Sequence, residues 1–218
     1  MTATADTPKP PPPLRVAGVI LAGGLSRRMG GGDKALLPLG DRPMLAHVID
    51  RLAPQVAAGA MAINANGDGG RFAAFGLPVL PDAVAGFAGP LAGVLTALEW
   101  AAATQPEVTH VLTVGGDTPF LPPDLAARLR QATEAGATIA CAASGGRRHP
   151  VVALWPVDLA AALRRALVEE HVRRVETWLD RHRTTAVDWP DAPDDPFFNV
   201  NRPDDLAAAA HRVARDDR

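Results

Sequence analysis

Residues 16–24 read VAGVILAGG, a run with no polar side chain that stops in small residues. A short, nearly all-apolar run of this kind is a strand buried on both faces. Covering it on both faces takes helices above and below the sheet. The pattern recurs along the chain. Ala60–Asn64, Val79–Leu80, His110–Val114, Thr138–Cys141, Val151–Trp155 and Thr185–Trp189 predict further strands. Between them, Pro43–Leu52, Pro90–Ala103, a segment from Pro122 to about Ala135, Asp158–Val168, Val172–His182 and Pro203–Arg215 carry helical spacing or helix-start residues. Strands alternating with helices predict an α/β chain: a single Rossmann-like three-layer domain with a mostly parallel central sheet. Such sheets bind ligands beyond the carboxyl ends of their strands.

The composition narrows the function. The 218 residues carry 22 basic and 24 acidic side chains, a net charge of 22 − 24 = −2, and 47% are hydrophobic. That is enough for one sizeable core and excludes a disordered chain. It gives no basic stripe for general nucleic-acid binding. One Cys excludes a disulfide scaffold or a cysteine-cluster metal site. Residues 1–14, MTATADTPKPPPPL, predict an extended, disordered Pro-rich leader without a signal-peptide core, ahead of a domain at 15–218. No segment has the ~20 apolar residues of a membrane span, so a cytoplasmic location is expected. Lys occurs twice, at 9 and 34, and Asn four times, at 64, 66, 199 and 201, in a chain rich in Ala, Gly, Pro and Arg. GC-rich codon drift accounts for the bias. Under such drift a surviving Lys or Asn marks a place where chemistry resists exchange.

Leu21–Lys34 reads LAGGLSRRMGGGDK. A buried strand runs into a loop of glycines, two arginines and a lysine, the composition of a phosphate cradle. It is not a Walker A loop, because Lys34 lies between Asp33 and Ala35. It holds neither the G-x-G-x-x-G spacing nor the G-x-S-x-G elbow. Asp117 follows the strand HVLTV and Gly115-Gly116. One carboxylate so placed suffices for Mg²⁺, which takes one or two and fills its shell with water and phosphate oxygens. Asn64 and Asn66 share a side at a strand end, where amides suit a base edge or a ribose, although Asn66-Gly67 also makes a tight turn.

The segment LAGGLSRRMGGGDK resembles the nucleotidyltransferase signature L-A-x-G-x-S-x-R-M-G-x(3)-K. With INAN at 63–66, LPD at 80–82, GPLAG at 89–93, GGDTPFLPPDL at 115–125, RRHPVVAL at 147–154 and FFNVNRPDDL at 197–206, it resembles the molybdenum cofactor guanylyltransferases of the molybdopterin nucleotidyltransferase family. Arg202 stands where members usually have Thr. The resemblance implies a nucleotidyltransferase-type fold, Mg²⁺ as cofactor, and GTP and molybdopterin (the molybdenum cofactor) as substrates. Molybdoenzyme apoproteins or their chaperones are possible receivers of the product. It assigns the nucleotide to Leu21, Ala22, Gly23, Gly24, Lys34, Asn64, Asp82 and Asp117, and the metal to Asp117. Asp82 suits guanine because a carboxylate accepts from both N–H groups on the base-pairing edge.

The reaction implied is in-line attack of the pterin phosphate on the α-phosphorus of GTP, with loss of pyrophosphate. The attacking phosphate is already ionised, so no general base is needed, and catalysis rests on position and charge. Lys34, Arg28 and Asp117 are the expected catalytic residues. Arg148, His149, Asn199 and Asn201 are candidates for the second substrate, while Arg164-Arg165 and Arg173-Arg174 read as solvated helix faces. Two alternatives stay open: a cytidylyl- or sugar-nucleotidyltransferase, and a non-catalytic GTP-binding cofactor-delivery protein.

Overall fold

A computed structural model describes residues 15–23, 33–84, 86 and 89–216. The leader, Gly24 and Arg28 lie outside the described residues. The elements in chain order are β1 (Val16–Leu21), β2 (Pro38–Leu39), β3 (Arg42–Pro43), α1 (Met44–Leu52), β4 (Met61–Asn64), β5 (Val79–Leu80), α2 (Pro90–Thr104) and β6 (His110–Gly115). They continue with α3 (Leu125–Glu134), β7 (Ile139–Ser144), β8 (Arg147–Pro156), α4 (Ala160–Val168), α5 (Val175–Leu179), β9 (Thr184–Trp189) and α6 (Pro203–Asp216). Among the described residues, no helix is long and apolar enough to cross a membrane.

Seven strands form one sheet in the order β5-β4-β1-β6-β8-β7-β9. All its pairings are parallel except those of β8, which runs antiparallel to both β6 and β7. Alternation along β1 explains the layers. Val16 and Ile20 point to one face, with Leu45, Val48 and Leu52 of α1 and Leu125 and Leu129 of α3. Ala17 and Val19 point to the other, with Leu91, Val94, Leu95 and Leu98 of α2 and Leu163 and Leu167 of α4. β2 and β3 form a separate ribbon, and Leu39 and Met44 pack there with Phe120, Val200 and Ala209 of α6.

Three departures from the sequence reading matter for the site. First, β7 and β8 extend to meet in a hairpin through Gly145 and Gly146, at φ 54° and 73°. Two successive positive φ angles make the primed turn that matches strand twist, and glycine adopts them without a Cβ clash. Arg147, Arg148 and His149 therefore belong to β8, not to a loop. Second, the helix expected over 172–182 shrinks to Val175–Leu179; Arg173 and Arg174 lie before it, Arg174 in extended backbone. His171, just before that expected span, sits at φ 56°. Third, the β2–β3 ribbon, whose hydrophobic run is too short to give a period, ends at Pro43, the residue expected to open α1.

Candidate active site

Four strands end on one line. Leu21 is level with Asn64 on one side and Gly115 on the other, and Asn64 is level with Leu80. Two further backbone bonds carry the ladder past the strand ends: Ala22 N–H to Asn64 O at 2.9 Å and Gly116 N–H to Leu21 O at 3.0 Å. The chain builds β4 and β5 on one side of β1 and then crosses to lay β6 on the other. The crevice over β1 and β6 is therefore the topological switch point, the usual ligand position in open α/β sheets.

On the β6 side, Lys34 Nζ donates to Asp117 Oδ2 at 2.6 Å and to Asn201 Oδ1 at 2.5 Å. The two charged side chains are 13% and 29% exposed, so water screens them only in part. Thr118 Oγ1 lies 3.4 Å from Asp117 Oδ1 and donates to Asn199 Oδ1 at 3.1 Å. Val200 N–H donates to Asp117 O at 3.0 Å, which locks the 199–201 segment onto the strand end. Asn199 and Asn201, expected near a second substrate, thus face the Lys34–Asp117 pair. Arg202 leaves the turn intact, because its backbone N–H and that of Asn201 both donate to Asp205 Oδ2 at 2.8 Å.

On the β5 side, Asp82 is held by both asparagines of the INAN motif. Asn64 Nδ2 donates to Oδ1 at 3.0 Å and Asn66 Nδ2 to Oδ2 at 2.8 Å, while Asp82 N–H donates back to Asn66 Oδ1 at 2.8 Å. Asn64 also donates to Leu80 O at 3.0 Å. Each carboxylate oxygen so engaged retains lone pairs for a ligand. Asn64 is buried under α2, where Gly93 leaves it room: a Cβ on Gly93 would stand 2.4 Å from Asn64 Oδ1. That gives the GPLAG motif a steric reason. Gly115 has the matching role, since a Cβ there would stand 2.5 Å from Asp117 Oδ1.

The basic segment before Val151 resolves differently from the expectation. Arg148 lies 3.6 Å from Asp180. His149 is buried, with Nε2 2.7 Å from Ser144 Oγ and its ring 4.8 Å from that of Phe197. Ser144 donates its one hydroxyl proton to Asp195 Oδ1 at 2.9 Å, so Nε2 must be the donor to Ser144. In a hydrolytic triad the histidine accepts from the serine, so these three residues form a tether and not a nucleophile. Asp195 also accepts from Phe197 N–H at 2.8 Å, anchoring the strand of chain that leads to Asn199. Burial, opposed by the Asp195 charge, holds the His149 pKa below the usual value for histidine. His149 thus anchors Ser144 and the chain around Asp195 from inside the domain.

Burial pushes the Cys141 thiol up to about 12, which excludes it as a nucleophile at neutral pH. Among the described residues no group of three or more His, Cys, Asp or Glu is placed to hold a metal on its own. A cavity of about 570 Å³ lies at the amino end of β1, lined by Arg15, Gln55, Ala57 and Arg130 among others, away from all these side chains.

A carboxylate–lysine pair on one side of a switch point and an amide-held carboxylate on the other place polar, charged groups where α/β domains bind their ligands. Within that class the chain belongs to the MobA-like NTP transferase domain family, whose model matches residues 18–185. A relative from Bradyrhizobium sp. (strain ORS 278), named molybdenum cofactor guanylyltransferase, is 53% identical over 93% of this chain and 95% of its own. Among solved structures, molybdopterin-guanine dinucleotide biosynthesis protein A from Archaeoglobus fulgidus superimposes with TM-score 0.70 at 21% identity, over 91% of this chain and 99% of that one. A Mycobacterium tuberculosis H37Rv protein in complex with manganese superimposes with TM-score 0.65 at 21% identity, over 90% and 98%.

Three groups escaped the sequence reading. Thr118 was hidden beside Asp117 as a turn residue. Ser144 and Asp195 lie 51 residues apart and meet only through the hairpin. Arg71 carries no local motif and reaches Asp33 across 38 residues.

Proposed function

We propose that this chain transfers GMP from GTP to the terminal phosphate of molybdopterin and releases pyrophosphate. A phosphate oxygen of the pterin forms the new bond to the α-phosphorus as the bond to the leaving pyrophosphate breaks. The observation that carries this reading is the Lys34–Asp117 pair at 2.6 Å, set at the switch point level with the Asp82 knot. The relatives' names supply the particular substrates.

Lys34 supplies positive charge against the phosphates, and Arg28, outside the described residues, is assigned the same task. Leu21, Ala22 and Gly23 at the end of β1 are assigned to the nucleotide together with Gly24, outside the described residues; space is open where a Cβ on Gly23 would stand, so backbone can be approached closely there. Asp82, steadied by Asn64 and Asn66, accepts from the N–H donors of guanine. Asn199 and Asn201 hold Thr118 and Lys34 in place.

Asp117 is the residue that would hold Mg²⁺: its carboxylate is a hard oxygen donor, and Gly115 lacks the Cβ that would crowd Oδ1, while the Asn199 and Asn201 oxygens already accept from Thr118 and Lys34. Bound there, the ion would supply positive charge against the phosphates. Arg148, on the same rim as the ends of β6 and β7, remains the candidate for the pterin phosphate.

The test is pyrophosphate release by the purified chain with molybdopterin, Mg²⁺ and each of GTP, CTP, ATP and UTP. Release with GTP alone is expected. A clear preference for CTP, or binding of GTP without release, overturns the proposal.

A further inference from the structure

We propose that Arg71 is a positioning residue that couples the phosphate end of the nucleotide site to its base end. The inference rests on the nucleotide reading above. The Arg71 guanidinium uses all three nitrogens. Nε donates to Asp33 Oδ2 and Nη2 to Asp33 Oδ1 at 3.3 Å, a forked contact. Nη2 also donates to Asn66 O at 2.7 Å, and Nη1 to Asp68 O. The guanidinium lies 4.6 Å from the ring centroid of Phe72, which is buried.

Asp33 immediately precedes Lys34, the residue that meets Asp117. Asn66 is the residue whose side chain grips Asp82. One cation therefore ties the end of the glycine-rich segment to the turn that carries the base-reading carboxylate. The pair is only 25% and 18% exposed, unlike the chain's open surface pairs. Only a guanidinium can fork onto a carboxylate while bonding two carbonyls and resting on a ring; an ammonium has neither the plane nor the fork. Among the described residues, Arg71 is the only side-chain partner of the Asp33 carboxylate.

A ligand that spans two subsites gains from their fixed separation, because the second contact forms at high effective concentration. Among the described residues, Arg71 bonds only Asp33 and the carbonyls of Asn66 and Asp68, none of which is assigned to the nucleotide itself. Its loss should therefore weaken the whole nucleotide and spare its parts.

The experiment measures affinities of wild type, Arg71→Met, Arg71→Lys, Asp33→Asn and the Arg71→Met/Asp33→Asn double variant, at a temperature where melting curves show each folded. The probes are GTP, guanosine and pyrophosphate. Expected is about a tenfold or greater loss for GTP in Arg71→Met, with guanosine and pyrophosphate changed less than about twofold. The double variant should be no worse than Arg71→Met, and Arg71→Lys should fall between. Unchanged GTP affinity, or equal losses for all three probes, overturns the coupling role. If Arg71→Met does not fold, Arg71→Lys and Asp33→Asn decide by the same criteria. If the wild type prefers CTP, the guanine reading fails while the comparison runs with CTP, cytidine and pyrophosphate.

Discussion

Gly93 sits in the interior of α2, where helix propensity alone says that Gly93→Ala should stabilise by about 1 kcal/mol. The structure reverses the sign. The added Cβ would lie 2.4 Å from Asn64 Oδ1 and 3.0 Å from Leu21 Cδ2. Flipping the amide does not help, since Nδ2 would then meet the methyl group. Asn64 is buried, so it escapes only by giving up its bonds to Leu80 O and Asp82. A neutral bond contributes about 1 kcal/mol and one to a carboxylate about 1.5–3. Set against the helix gain, the net loss is about 2 kcal/mol, or about 4–8 °C in Tm for a domain of this size. Asp82 keeps the Asn66 bond but loses the Asn64 one, and the expected rise in Kd for GTP is about tenfold, or 1.4 kcal/mol. Calorimetric melting and nucleotide titration measure both. The decisive control repeats Gly93→Ala in an Asn64→Ala background. With the main clash partner gone and only the Leu21 methyl left to shift, the substitution should change from destabilising to neutral or stabilising, by at most the helix increment of about 1 kcal/mol. A stabilised Gly93→Ala single variant with unaltered GTP affinity would refute the reasoning.

Lys34→Ala and Asp117→Ala should each lower turnover by about 10²–10³, or 3–4 kcal/mol of charge stabilisation, with circular dichroism unchanged; near-wild-type turnover of Lys34→Ala would remove the phosphate-end assignment. Thr113→Val should destabilise by about 2–4 kcal/mol in denaturant titration, because the fully buried Thr113 Oγ1 accepts from Trp155 Nε1 at 2.8 Å and donates to Val151 O at 2.7 Å. For His110, His149 and His182 burial lowers the folded pKa below the ordinary 6.5. The unfolded chain therefore takes up protons first as pH falls, so stability held above about 6.5 should decline through the window down to the lowered folded values. A denaturation midpoint that is flat from pH 7.5 to 5.5 would contradict this.

The sequence carried the parallel half of the sheet well. VAGVIL, AMAIN and HVLTV are dense apolar runs, and the structure ends β4 at Asn64 and β6 at Gly115, while β1 ends at Leu21, just before Ala22-Gly23. Lys34 and Asn64, singled out by scarcity, fall on the two sides of the switch point. Asn66, left open, turned out to bond the same carboxylate as Asn64. The second half was harder to read. Arg147 and Arg148 are polar and exposed, so no apolar period marked them as strand. Contacts such as Arg71 with Asp33, or Ser144 with Asp195, depend on distant backbone segments meeting, and local pattern carries no trace of that.

The bond from Lys34 to Asn201 joins residues 167 positions apart. The β5-β4-β1-β6 half of the sheet and the Asp82 knot are encoded in the chain up to Gly115, but Lys34 gains its second anchor only when residues 199–201 dock. During synthesis the Lys34–Asp117 end can gain that anchor only after Asn201 has emerged, well after the β5-β4-β1-β6 strands. The same order applies to local opening. Detachment of residues 195–216 would silence turnover while the sheet stayed closed, so hydrogen exchange at this segment should track activity more closely than global stability does.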